Sequence, residues 1–235
     1  MLDERKLAVL RAIVERDPDD DRHFVKLAEL CLKLGDVDGA RGAFRGAATA
    51  GRIEPLFRSF DFGGLFSLMM LDTRLFGRDE QAHDPNGKKY TSVASTDPTV
   101  ADPRRSLLGF DQEDWLYGEM ARSKQRGHAW QVLGQQVMMA SLSVDRGAHF
   151  ENRDQWDGYA PARERLFAAA AAREVRDLVV LTGDFHSTFA NDLSPHPWDG
   201  SYDAATRRGV AGVEFVVPGI TSPGTEGQEA VDRTA

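Results

Sequence analysis

The apolar positions at the start of the chain follow the period of an α-helix. Leu7, Leu10, Ile13 and Val14 form an apolar stripe within residues 4–16, with the spacing of an amphipathic helix. The acidic segment Asp17–Asp20 contains a proline, which ends this helix, and supplies the cap of the next one. The N-terminal part of the chain is therefore predicted to be helical.

A second helical pattern, in residues 22–50, resembles a tetratricopeptide repeat. Its matching positions are Phe24, Leu27, Ala28 and Cys31 in the first half of the repeat, Gly35-Asp36 at the turn, and Ala40 and Phe44 in the second half. Stable stacks usually need three or more repeats. We therefore expect this TPR-like segment, residues 1–52, to pack against another structure, with binding of a protein partner as the alternative.

From residue 53 onward, short apolar runs alternate with helical patterns. The predicted strands are Leu65–Leu71, Ala129–Ala140, Asp177–Leu181 and Val213–Val217, and the predicted helices are Gly109–Arg122 and Pro161–Arg173. The strand in Ala129–Ala140 is expected to emerge from the sheet at Gly134-Gln135-Gln136. Strands that alternate with helices are typical of an α/β layered sheet. The polar residues 77–105 are predicted to form a long surface loop.

The strand Asp177–Leu181 is followed at once by Thr182, Gly183, Asp184 and, two residues later, His186. Open α/β sheets bind their ligands at the carboxyl ends of strands, and a glycine there lets the backbone turn sharply. Asp184 and His186 are therefore candidate metal ligands. A second interpretation stays open, in which Asp184 caps a following helix and His186 is a surface residue.

Composition and charge exclude several classes of protein. The formal net charge is −8, and without a long basic run this argues against a surface that binds nucleic acid. The single cysteine, Cys31, excludes an internal disulfide framework and a four-thiolate zinc site. No stretch has the length and apolarity of a membrane span. The N-terminus lacks the pattern of a secretory leader, so a cytoplasmic protein is expected.

Six motifs, taken in order, resemble the alkaline phosphatase D (PhoD-like) metallophosphatases. They are LDTR at Leu71–Arg74, LLGFDQEDWL at Leu107–Leu116, WQVLGQQVMMA at Trp130–Ala140, WDGYAPARERL at Trp156–Leu166, VVLTGDFHSTFANDL at Val179–Leu193 and VEFVVPGITSPG at Val213–Gly224. The resemblance runs from about Ile53 to about Gly224. It divides the chain into the TPR-like segment 1–52 and a PhoD-like C-terminal region, residues 53–235.

The resemblance implies the second half of a calcineurin-like metallophosphatase layered sandwich. The implied activity is metal-dependent hydrolysis of small phosphate esters, as an alkaline phosphatase or a phosphodiesterase, with iron and calcium as the typical metals of the family. Asp184 and His186 match the positions of catalytic metal ligands. Family members are often exported, so the resemblance also implies a periplasmic or secreted location if an export signal lies outside this sequence.

The chain departs from the family pattern in its first half. The family's Ser-Cys pair, GDxxY-type motif and DDHE motif are absent, and Asp19-Asp20-Asp21 fills the turn between two helices. Asp184 and His186 alone cannot supply the six or more oxygen ligands that Ca²⁺ takes. Two function classes therefore stay open: an enzyme for which this chain supplies half of the site, and a non-catalytic fragment or TPR-bearing interaction protein that retains the scaffold.

Four further residues are candidate substrate contacts. Trp156, Tyr159 and Arg163 could form a rim that orients the substrate, with Arg163 pairing a phosphate oxygen. Gln136 emerges from a predicted strand beside the site, where its amide could contact a metal-bound water. The alternatives are a structural loop packed around Trp156 and a Gln136 that only hydrogen-bonds a neighbouring loop.

Overall fold

The computed structural model describes residues 2–17, 21–49, 55–84 and 91–219. Its α-helices are α1 (Leu2–Arg16), α2 (Asp21–Lys33), α3 (Val37–Thr49), α4 (Phe110–Gln125) and α5 (Ala160–Ala172), and a short 3-10 helix spans Trp156–Tyr159. Its strands are β1 (Arg58–Phe62), β2 (Phe66–Met70), β3 (Val93–Ala94), β4 (Trp130–Gln135), β5 (His149–Phe150), β6 (Leu178–Thr182), β7 (Phe189–Leu193) and β8 (Gly212–Val216).

Helices α1, α2 and α3 surround a small apolar cluster of their own. Its buried members are Leu27, Ala28, Cys31, Ala40 and Ala43. After α2 the chain turns at Gly35, which has a φ of 74°, and Asp36 Oδ1 accepts the backbone N–H of Gly39 (2.8 Å), which caps the start of α3. The predicted helices are thus present, whereas the tetratricopeptide assignment stays a prediction. Asp19 and Asp20 lie outside the described residues.

Six of the described strands form one mixed sheet in the order β1-β2-β4-β6-β8-β7. The inner strands β2, β4, β6 and β8 are parallel, and the edge strands β1 and β7 are antiparallel to their neighbours. Because the inner strands are parallel, their carboxyl ends meet at one edge of the sheet. The α/β class predicted from the sequence is confirmed.

The strand predicted within Ala129–Ala140 leaves the sheet where expected, at Gly134-Gln135-Gln136, because β4 ends at Gln135. The next residues leave the sheet because buried side chains, and not a neighbouring strand, bind their backbone N–H groups. Gln155 accepts the N–H of Met138, and Glu214 accepts those of Met139 (2.7 Å) and Ala140 (2.9 Å). The apolar residues 137–140 therefore pack into the core as a loop.

The main core lies on one face of the sheet, which we call the inner face. Helices α4 and α5 cover this face, and Leu116, Met120 and Leu166 from these helices pack with Leu133 and Val180 from β4 and β6. Alternate residues of each strand point to this layer, as a pleated strand requires. We call the opposite side of the sheet the outer face.

Candidate functional site

Polar residues gather where β2, β4 and β6 end, at the carboxyl edge of the sheet. Strand β2 is followed by Asp72, Thr73 and Arg74, β4 by Gln136, and β6 by Gly183 and Asp184. These positions are brought together because the three strands are parallel neighbours. The edge predicted from the sequence to bind ligands therefore carries a group of polar residues, of which Asp72 and Thr73 are buried and Asp184 is exposed.

Asp184 lies in a left-handed turn and is held by two side chains. It has a φ of 66°, and His186 has a φ of 60°, a region that non-glycine residues rarely adopt and that costs free energy. Its Oδ2 accepts hydrogen bonds from Arg74 Nη2 (2.9 Å) and Gln155 Nε2 (3.3 Å). The next described element is strand β7 rather than a helix, so Asp184 does not cap a helix.

His186 lies two residues further on and is exposed to solvent. Within the described parts of the chain, its ring has no hydrogen-bond partner. The intervening Phe185 turns inward and packs edge-on against Phe189, with ring centroids 5.0 Å apart. This contact anchors the turn and leaves the His186 ring at the surface beside Asp184.

Arg74 links Asp184 to a second, buried carboxylate. Its Nη1 donates to Asp154 Oδ2 (2.7 Å), and the other oxygen of Asp154 accepts a hydrogen bond from the buried Arg78 (2.7 Å). Burial lowers the pKa of Arg74, but the ion pairs with Asp154 and Asp184 outweigh this effect and raise the pKa above its ordinary value. Arg74 therefore places a permanent positive charge against the candidate metal ligand.

Asp72 and Gln136 accept hydrogen bonds that hold the loop after β2. Asp72 accepts the backbone N–H groups of Arg74 (2.9 Å) and Leu75 (2.8 Å). Gln136 Oε1 accepts from the backbone N–H and the hydroxyl of Thr73 (2.8 and 2.7 Å). These bonds fix the conformation of the loop from which the Arg74 side chain reaches Asp184. The substrate role of Gln136 stays a prediction.

The candidate rim residues Trp156, Tyr159 and Arg163 are buried. Trp156 Nε1 donates to Gln135 Oε1 (2.7 Å), and Tyr159 donates its hydroxyl to the carbonyl of Asp79 (2.7 Å). Arg163 is only 5% exposed; it pairs with Asp157 (2.6 Å), and its Nε has no partner among the residues that the structure describes. All three side chains thus brace the segment that carries Asp154 and Gln155.

Glu214 is a fully buried carboxylate beneath the site. Besides the two backbone N–H groups of the loop after β4, it accepts hydrogen bonds from Thr182 Oγ1 (2.7 Å) and Asn191 Nδ2 (3.3 Å). Burial raises the pKa of Glu214, although these hydrogen bonds oppose the shift. Glu214 joins β8 to the last residue of β6, directly before Gly183 and Asp184.

Sequence reasoning missed Asp154, Gln155 and Glu214. The signal for Glu214 was available, because a glutamate within an apolar strand must be hydrogen-bonded when it is buried. No local pattern marks Asp154 or Gln155, which reach the site from a loop distant in sequence from β6.

The described residues do not form a metal centre. Within the described ranges, no group of three or more His, Cys, Asp or Glu side chains could hold a metal ion. The one carboxylate beside His186 is already paired with Arg74 (2.9 Å). The donor set therefore does not fit a bound iron or calcium ion without further ligands.

A mostly parallel sheet with its polar groups at the carboxyl edge defines an α/β protein of the open-sheet class, in which that edge is the general place for a ligand site. The family model of the PhoD-like phosphatases matches residues 43–235, and the chain therefore belongs to the PhoD-like phosphatase family.

One relative is "Alkaline phosphatase D" of Bacillus subtilis (strain 168), 34% identical over 178 residues that make up 75% of this chain and 28% of the relative. The solved "Structure of PhoD" superposes with a TM-score of 0.60 at 30% identity, over 78% of this chain and 34% of that chain. The chain thus spans about a third of the length of the relatives that it matches. None of the described helices is long and apolar enough to cross a membrane.

Proposed function

We propose that this chain takes part in the metal-dependent hydrolysis of phosphate esters, with Asp184 and His186 as metal ligands at the carboxyl edge of the sheet. The observation that carries this proposal is the position of both residues in a strained turn at the end of β6, in a chain of the PhoD-like phosphatase family. Strained backbone is concentrated at functional sites. The ligands still missing come, in this proposal, from polypeptide outside the described residues.

In this proposal, the chain's own residues bind the substrate and hold the residues of the site in position. Arg74 is partly exposed and donates to Asp184 and Asp154; a guanidinium in this place is suited to bind a phosphoryl oxygen of a small ester. Trp156, Tyr159 and Arg163 support the site by holding the Asp154–Gln155 segment, and Gln136 holds the loop that carries Arg74. The substrate is proposed to be a phosphate monoester or diester.

The test is hydrolysis of p-nitrophenyl phosphate and bis(p-nitrophenyl) phosphate by the purified chain with added iron and calcium, together with its metal content by elemental analysis. His186→Ala should abolish any hydrolysis and leave thermal stability nearly unchanged, since the ring is exposed. His149→Ala is the matched control, because His149 is exposed on β5 and pairs with Asp145 (2.7 Å). Equal activity of the His186 and His149 variants would remove His186 from the mechanism.

A second candidate is a non-catalytic interaction protein that retains the phosphatase scaffold and binds a partner through its helical segment. Two observations favour it. The Asp184 carboxylate is already paired with Arg74, and an open groove of about 600 Å³ runs along α1 and α2. Apolar Val9 and Leu10 contribute to the groove, along with basic residues that include Lys26. In this case no metal should be retained on addition of iron, calcium or zinc.

A further inference from the structure

The turn between β6 and β7 passes over the end of β8, because β8 lies between these two strands in the sheet. The backbone N–H of Phe185 donates to the carbonyl of Gly183 (2.8 Å), which closes a three-residue turn around Asp184. With its φ of 66°, Asp184 gives this turn the form of γ-turn that is rare and strained. Such a conformation persists only where the surrounding structure holds it.

The side chain of Glu214 connects the strands on both sides of this turn. Glu214 is the middle residue of β8 and is opposite Asn191 of β7 in the strand register. Its Oε1 accepts the hydroxyl of Thr182 (2.7 Å), the last residue of β6, and its Oε2 accepts the amide of Asn191 (3.3 Å). One buried side chain therefore holds both the strand that enters the turn and the strand that leaves it.

A directed series of buried hydrogen bonds ends at Glu214. The indole N–H of Trp156 can only donate, and it donates to Gln135 Oε1 (2.7 Å). Gln135 then donates from its Nε2 to Thr182 Oγ1 (3.2 Å), so the hydroxyl proton of Thr182 is left for Glu214. All four side chains are at most 7% exposed. Trp156 thus fixes the direction of the series, and Glu214 Oε1 has to be an acceptor.

The loop after β4 is bound to the same carboxylate. Oε1 of Glu214 also accepts the backbone N–H of Met139 (2.7 Å), and Oε2 accepts that of Ala140 (2.9 Å). A glutamine at position 214 would have to place its carbonyl oxygen at the Oε1 position, so its amide nitrogen would face the N–H of Ala140. Two donors would then face each other, and a buried N–H without an acceptor is costly. Glutamine therefore cannot replace Glu214 in this network.

We propose that Glu214 is a positioning residue for the turn that carries Asp184 and His186. It holds the two ends of the turn through Thr182 and Asn191. It thereby keeps Asp184 in the strained conformation in which the Asp184 carboxylate meets Arg74. The assignment rests on the proposed function in one respect, namely that Asp184 and His186 are the candidate metal ligands.

The test is hydrogen exchange of the Phe185 amide, measured by NMR as a ratio to exchange of the Asp97 amide, which closes a loop turn with Ala94 (3.0 Å). Release of the turn accelerates exchange at Phe185 alone, whereas overall unfolding exposes both amides. Thr182→Val keeps the shape of the side chain and removes the hydroxyl. We expect Thr182→Val and Glu214→Gln each to raise the ratio at least about tenfold, because each leaves a buried polar group unpaired. Thr182→Ser keeps the hydroxyl and should leave the ratio near that of the wild type.

Glu113→Gln is the matched control, because Glu113 is a glutamate only 4% exposed that is bound by Arg165 (2.7 Å) and Ser106 (2.6 Å). It should lower the stability in urea and leave the exchange ratio unchanged. A ratio that is unchanged in Thr182→Val, or that rises equally in Thr182→Ser or Glu113→Gln, would overturn the proposal. Thr182→Val is nearly isosteric, so it gives this answer even if Glu214→Gln does not fold.

Broadening of the His186 ring protons by Mn²⁺ separates the positioning role from the proposed function. Mn²⁺ should bind more weakly to Thr182→Val than to Thr182→Ser, because only the valine variant releases the turn. Absence of broadening in the wild type would remove Asp184 and His186 as metal ligands. Exchange at Phe185 would still decide whether Glu214 holds the turn, since it requires neither metal nor substrate.

Discussion

Arg74 and Asp184 form a salt bridge, with 2.9 Å between Nη2 and Oδ2, that joins the ends of β2 and β6. The guanidinium also binds Asp154 (2.7 Å), so one cation neutralises two carboxylates at the carboxyl edge. A metal ion bound at Asp184 would have to displace the Arg74 guanidinium or bind next to it. Arg74 and a metal ion are therefore expected to compete for the Asp184 carboxylate.

Arg74→Gln should strengthen metal binding at this turn. A partly exposed ion pair is worth about 1 kcal/mol or less, so its loss should raise the affinity of Mn²⁺ for the Asp184–His186 turn by up to about fivefold. The measurement is paramagnetic broadening of the His186 ring protons in a Mn²⁺ titration. Arg104→Gln is the control, because Arg104 is 87% exposed and pairs with Asp102 on the surface. An unchanged or weaker affinity in Arg74→Gln would contradict the competition.

Arg78 is expected to contribute far more to stability than Arg74. Arg78 is only 1% exposed, and it donates to Asp154, to the carbonyl of Thr73 and to the hydroxyl of Tyr159. Removal of one partner from a buried ion pair costs about 3–5 kcal/mol, so Arg78→Met should lower the free energy of unfolding by this amount in urea titrations. Arg104→Met should change it by less than about 0.5 kcal/mol. Similar losses for the two variants would show that the Arg78 network is not stabilising.

The sequence predicts the sheet better than it predicts the site. Strands β2, β6 and β8 follow from short apolar runs, and the carboxyl edge follows from their parallel order. Asp154 and Gln155 could not be predicted, because their approach to Asp184 depends on tertiary packing of the loop before the 3-10 helix. The exit of β4 at Gly134-Gln135-Gln136 was also predicted, but apolarity alone does not show that Glu214 and Gln155 bind the backbone of the residues after Gln135.

Glu214 should make stability dependent on pH. Burial raises its pKa in the folded protein, so folding favours the protonated form, and the associated stability is lost as the pH rises through the folded-state pKa. Urea titrations from about pH 4.3, the ordinary glutamate pKa, to pH 8 should show wild-type stability falling relative to Glu214→Gln. Asp203→Asn, a partly exposed control whose pKa is lowered by hydrogen bonds, should not reproduce this relative fall. Parallel curves for wild type and Glu214→Gln would argue against a raised pKa.

Two glycines should respond to alanine in opposite directions. Gly77 has a φ of 66°, and a Cβ on it would lie 2.6 Å from the carbonyl oxygen of Leu108 and 2.7 Å from Gly109 Cα. Gly118 lies inside α4, and a Cβ there would have no neighbour within 4 Å. Gly77→Ala should destabilise the protein by about 2–4 kcal/mol through clash and backbone strain, whereas Gly118→Ala should stabilise it by about 0.5–1 kcal/mol.

Urea unfolding of both glycine variants decides whether the contact between the loop after β2 and the start of α4 is tight. The loop carries Arg74, so this contact also fixes the distance from which Arg74 reaches Asp184. If Gly77→Ala were as stable as wild type, the loop would be able to shift without a loss of stability. The loop would then not hold Arg74 rigidly. A loss confined to Gly77→Ala, with a gain in Gly118→Ala, would instead show that the backbone beneath Arg74 is held by close packing.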